Sequence, residues 1–245
     1  MTACLSSADL GFWDWRYVPA NRGFDTAFGY LTGAEDYYKH SNGKSCQGLD
    51  LTAGSPDVNN TSHTFVAQPQ LTGTYSTYMY QAQIEAVLKA HPAGTPLFAY
   101  LPFQSVHEPI QAPEQYVDRY PSNYANGSTG RRTFAGMVSA LDDAIGNTTA
   151  MLRTTGLWEN LFLVFSADND GNLGAQGNNL PLKGGKFTFW EVSNRYSPTL
   201  KSALCCMPCL LVYTSWTPLQ IIDVFVDNLV YAIPTVQGGT RGVSF

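Results

Sequence analysis

Positive charge is scarce in this chain. Lysine and arginine together number 14 against 19 aspartates and glutamates, and charged residues fill only 13% of 245 positions. A net charge of −5 and an isoelectric point near 5.2 argue against a nucleic-acid surface, which needs clustered Lys and Arg. A small anionic substrate is still permitted, because a few local cations or one metal ion decide that. The opening stretch MTACLSSADLG has neither a basic start nor an apolar core, so no signal peptide is legible. Cysteines number five. Cys46 has no evident local partner, and Cys206 and Cys209 lack the second CxxC or His pair that four zinc ligands need.

What is abundant points to a packed, loop-rich globule. The chain carries 22 Gly, 14 Pro, 14 Tyr and 13 Phe with 44% hydrophobic residues, enough for one large domain or two small ones. Residues 9–38 are aromatic and turn-rich without a sustained period, so they read as a packed surface loop. Leu51 to Gly73 reads as a polar connector. A helix is predicted over Tyr75–His91, where Tyr80, Ile84, Val87 and Leu88 form one apolar stripe and Pro92 and Gly94 stop it. Phe134, Met137, Val138, Leu141, Ile145, Met151 and Leu152 predict a second over Arg131–Thr155, ended by Gly156.

Two charge-free runs, Leu97–Leu101 and Leu161–Phe165, have the length and composition of strands buried on both faces. The order strand, helix, strand predicts a right-handed crossover with the strands as a parallel pair. Their C-terminal ends then emerge at one edge of the sheet, where open α/β sheets bind ligands. At one end lies QSVHEP with His107. At the other lie Asp168 and Asn169, a carboxylate and an amide oxygen suited to calcium or magnesium. A plain Asx turn closing the strand is the alternative for Asp168 and Asn169, and a surface or core role for His107. A loop holding five glycines up to Gly185 can return Lys186 to the same edge. A metal, an imidazole and an ammonium around one pocket fit hydrolysis of a sulfate or phosphate ester. The metal and Lys186 would neutralise nonbridging oxygens, and His107 would move a proton to the leaving oxygen.

Several motifs carry a resemblance: RGFDTAFGYLTGAEDYY, PLFAYLPFQSVHEPIQAPEQY, FAGMVSALDDAIGNTT with GLWEN, FSADNDG, and GNNLPLKGGKFTFWE. In this order, over residues 9–191, the chain resembles the type I sulfatases, with the arylsulfatase B (N-acetylgalactosamine 4-sulfatase) branch nearest. The resemblance implies an alkaline-phosphatase-like α/β fold, a mostly parallel sheet flanked by helices and incomplete here, with calcium-assisted hydrolysis of sulfate esters. By motif, Asp168 and Asn169 match the second pair of metal ligands, His107 the substrate-contacting histidine and Lys186 the sulfate-binding lysine. A sulfated small molecule or sulfated glycan is the implied partner.

The departures are specific. The resemblance implies a formylglycine nucleophile made from Cys or Ser in a C-x-P-x-R-like motif, expected upstream of the region this sequence covers. Cys206-Met207-Pro208-Cys209-Leu210 imitates its start, but Leu210 replaces the arginine and the order along the chain is wrong. Ser7 and Asp9 stand where the family has Lys and His before RGFDT, and Asp170 replaces the glycine usual after Asp-Asn. The expectation is an inactive chain, either a clipped arylsulfatase or a non-catalytic sulfatase-like protein that binds a metal or anion weakly. Sequons at Asn59, Asn60, Asn126 and Asn147 fit a secretory, lysosomal or extracellular glycoprotein whose signal lies upstream.

Residues 192–237 stand apart. Arg195, Lys201, Asp223 and Asp227 are their only charges, and Ser202 to Ile222 has none. The length suits a membrane span, but Pro208, Pro218 and Gln220 and the lack of basic flanks argue against one. Trp190-Glu191 and the run from Gly238 to Val243 join as the family text does once 192–237 are removed. Val192-Ser193 can be encoded as GTRAGY and Gln237 as CAG, the two ends of an intron. The predicted organisation is therefore a partial sulfatase domain over 1–191, a translated retained intron or gene-model error with no selected fold or function over 192–237, and a resumption over 238–245.

Overall fold

The computed structural model describes residues 1–5, 13–43, 48–55, 64–167, 169–181, 183–188 and 220–226. Seven strands form one sheet: β1 Thr2–Leu5, β2 Thr26–Gly29, β3 Thr52–Ser55, β4 Thr64–Ala67, β5 Phe98–Phe103, β6 Leu161–Ala167 and β7 Gln220–Val226. Their order is β4-β3-β2-β1-β5-β7-β6. From β2 across to β6 every pairing is parallel, whereas β3 and β4 add an antiparallel edge. Three α-helices join them: α1 Ser76–Ala90, α2 Glu114–Val117 and α3 Thr129–Thr154.

Each long helix follows from its sequence. Ser128 caps α3, its hydroxyl accepting from the Arg131 amide at 3.3 Å. At the far end Gly156 takes a left-handed φ of 74°, which costs glycine little and stops the helix. Buried Phe134, Met137, Val138, Leu141 and Leu152 confirm the predicted stripe, while Ile145 and Met151 are only partly covered. In α1, Tyr80, Ile84 and Leu88 are buried and Val87 packs at the margin. Both helices meet the sheet in one core with Phe28, Ala99, Leu101, Phe103, Leu163 and Phe165.

Four strands lie where no strand was expected. β2 falls in the aromatic stretch read as a surface loop, β3 and β4 in the stretch read as a connector, and β1 at the very start of the chain. Four residues are too short to show alternation, so only pairing reveals them. The predicted crossover also needs correcting. β5 and β6 are parallel but not hydrogen-bonded neighbours, because β7 lies between them.

Within 192–237, Gln220–Val226 pairs as β7 with both β5 and β6. QIIDVFV is rich in β-branched and aromatic residues, a composition that fits a place in a pleated sheet. The rest of that segment, Cys46, and the sequons at Asn59 and Asn60 lie outside the described residues.

One buried polar cluster underlies the turn-rich stretch. Glu35 and His40 are 2% and 0% exposed, with His40 Nδ1 at 3.5 Å from Glu35 Oε1 and the Tyr80 hydroxyl donating to that oxygen at 3.2 Å. Burial pushes the Glu35 carboxyl above the ordinary glutamate range, and the nearby His40 opposes this only in part. A raised folded value favours the protonated acid, so stability from Glu35 is full at low pH and lost as pH rises through that value. Thermal melts across pH should therefore show a flatter profile for Glu35→Gln than for the parent above the ordinary glutamate range. A parallel pair of profiles would mean that the carboxyl does not carry the slope.

Candidate functional site

The site is built where parallel strands end level. Phe103 of β5 and Ala167 of β6 are both in register with Val226 of β7. Their C-terminal ends are thus two strand spacings apart, about 10 Å, on one edge of the sheet. His107 and Asn169 follow these ends by a few residues. Asp168 lies outside the described residues.

A buried polar frame holds the turn that carries His107. The Gln104 side chain donates to Glu35 O at 2.6 Å and accepts from Ser76 Oγ at 2.6 Å. Thr77 and Ser105 hydroxyls pair at 2.8 Å. Fully buried Tyr37 donates its hydroxyl towards both Gln104 O at 3.0 Å and His107 O at 2.8 Å. The His107 amide donates back to Gln104 O at 2.8 Å, and its ring Nδ1 lies 2.7 Å from Glu108 O. If Nδ1 carries the proton for that contact, Nε2 is left as the basic nitrogen. Val106, buried with Tyr75, Phe134 and Met137, anchors the turn from below.

The loop after β6 is folded by one amide. Asn179, only 5% exposed, accepts from the Gly171 amide at 3.0 Å and donates to Gly171 O at 2.9 Å and Gly184 O at 3.1 Å. Backbone segments come so close that a Cβ at Gly185 would stand 2.9 Å from Gly171 O, and one at Gly177 2.7 Å from Gly171 C. The Lys186 amide donates to Gly171 O at 3.4 Å, so the lysine returns within two residues of Asn169. Arg131 at the start of α3 ties down the outer part of the loop through Gln176 O.

The donor chemistry at this edge suits a hard cation only in part. Asn169 Oδ1 is screened from solvent and Asp170 is 5% exposed, both oxygen donors of the type calcium takes. Among the described residues, however, no group of three or more His, Cys, Asp or Glu gathers to hold a metal. A full shell would need Asp168 and further donors.

The sulfatase family model matches residues 2–195 of this chain. The chain belongs to the sulfatase family. It is 37% identical over 219 residues to arylsulfatase J of Mus musculus, covering 86% of this chain and 35% of that protein. It is 24% identical over 214 residues to an arylsulfatase of Klebsiella aerogenes, covering 66% of this chain and 44% of that protein. The crystal structure of Ps i-CgsB in complex with k-i-k-neocarrahexaose superposes with a TM-score of 0.64 at 26% identity, over 78% of this chain and 42% of that one. These neighbours show the alkaline-phosphatase-like α/β fold. The chain spans less than half the length of these relatives.

Sequence reasoning did not single out Tyr37, Gln104 or Asn179 in this sulfatase chain. Asn179 lies in the quoted GNNLPLKGGK motif, but nothing in its type separates it from Asn178. Asn179→Ala should destabilise the chain by about 1–3 kcal/mol, because it strands buried Gly171 groups. Gly177→Ala should cost about 1–3 kcal/mol through overpacking against backbone. Urea midpoints check both, and hydrogen exchange should show the loss beginning in residues 171–186.

Proposed function

We propose that this chain is the anion-binding part of a sulfuric ester hydrolase of arylsulfatase type, and that it does not turn over by itself. The observation that carries the reading is the return of Lys186 to Gly171, at the sheet edge that also bears His107. Lys186 supplies charge to the nonbridging sulfate oxygens, and His107 Nε2 exchanges a proton with the ester or leaving oxygen. Asp168 and Asn169 are the residues that would hold calcium. When bound, that ion would add Lewis-acid stabilisation of the sulfate oxygens. The substrate class is a sulfated small molecule or sulfated glycan.

Inactivity rests on the sequence itself. Within the matched motifs, Ser7 and Asp9 stand where the resemblance puts two cations of the sulfate pocket, and Asp170 adds negative charge where it puts glycine. This favours a second reading, a non-catalytic sulfatase-like protein that binds an anion or metal weakly. A secretory, glycosylated product fits the exposed Asn126 and Asn147, the two sequons among the described residues. No helix among the described residues is long and apolar enough to cross a membrane.

We retain the reading of 192–237 as a translated intron. An apolar β-rich run such as Gln220–Val226 can join a sheet whatever its origin. Reads spanning Glu191 to Gly238 in spliced messages test it, and their uniform inclusion of the segment would end it.

Assay with p-nitrocatechol sulfate should give no turnover, while calorimetry should detect weak inorganic sulfate binding that falls about tenfold or more in Lys186→Ala. Turnover by the purified chain would sink the non-catalytic reading. Sulfate binding unchanged by Lys186→Ala would sink the assignment of the site.

A further inference from the structure

Phe187 is out of place by every local rule. Its ring is 84% exposed, and its φ of 74° lies in the left-handed region, which bulky side chains avoid. It is the third residue of a turn closed by the Thr188 amide donating to Gly185 O at 3.0 Å. With a positive φ, that position normally takes glycine or asparagine. The turn is held hard all the same. The Thr188 hydroxyl also donates to Gly185 O at 2.7 Å, and the Gly185 amide donates to that hydroxyl at 3.1 Å.

Strain kept at a rigid turn commonly marks a residue whose presentation matters. The preceding residue is Lys186, whose Nζ lies 5.9 Å from the Phe187 ring centroid. Leu173, itself 61% exposed, approaches the same turn, with its Cγ 3.2 Å from where a Cβ on Gly185 would sit. An ammonium, an aromatic face and an aliphatic side chain are therefore presented together beside the end of β6.

We propose that Phe187 is a stacking platform for the ring of a sulfate monoester whose sulfate is held by Lys186. The charge selects the sulfate end, and the ring with Leu173 selects a flat apolar group attached through the ester oxygen. This inference rests on the reading of Lys186 as the anion site and adds a determinant of which esters bind there.

Calorimetry on the full chain with inorganic sulfate and p-nitrophenyl sulfate tests it. The parent should bind p-nitrophenyl sulfate about three- to tenfold more tightly than sulfate. Phe187→Gly should erase that preference, leave inorganic sulfate binding unchanged and raise the melting temperature by relieving the turn. Phe187→Trp should keep the preference. A preference that survives in Phe187→Gly overturns the platform, and so does loss of sulfate binding in that variant. Sulfate binding with no ring advantage in the parent overturns the platform alone. Failure of the parent to bind either anion overturns the Lys186 reading and this inference with it.

Discussion

The candidate site depends on how Asn179 crosslinks the loop that follows β6. Its amide group satisfies both the N–H and the C=O of Gly171 and reaches Gly184 O, so two distant parts of the loop share one buried polar node. Without that node, an ammonium fifteen or more residues past the strand end would pay loop-closure entropy to return there. With it, Lys186 comes back to the residues just beyond Asn169. The glycines at 177 and 185 are the steric complement, because the backbone passes too close for a Cβ.

The histidine side of the edge is held differently. There the order comes from a set of buried hydroxyl and amide groups centred on Gln104, with Tyr37 reaching across from the turn-rich stretch to two carbonyls of the His107 turn. Each polar group in that set has a partner, which makes it rigid in a low-dielectric setting. The stretch around Glu35 and His40 therefore does more than cover the core. Its backbone carbonyl at Glu35 accepts from the Gln104 side chain, which ties the turn-rich stretch to the His107 turn.

Much of this was legible in the residues. The two long helices announce themselves by apolar stripes and end signals. Both charge-free runs are strands, although β6 lies at the sheet edge and its described residues are only partly buried, unlike most of those in β5. The parallel run of β5 and β6, with His107 and Asn169 a few residues past their ends, follows from a strand-helix-strand order. The short strands β1 to β4 were not legible, since four residues of ordinary composition become a strand only when a neighbour pairs with them. Nor did the sequence separate β5 from β6, since a long crossover helix allows adjacent strands or strands one place apart.

By itself, then, the sequence determined the fold class through its periodicities and the family through its motifs, because both are written in short stretches of residues. Tertiary structure alone decided that β7 fills the place between β5 and β6, that Asn179 rather than Asn178 is the crosslink, and that Phe187 stands exposed at a positive φ. Those outcomes depend on which backbone groups come together across long separations, and hydrogen-bond satisfaction between distant segments leaves no mark in a single stretch of residues.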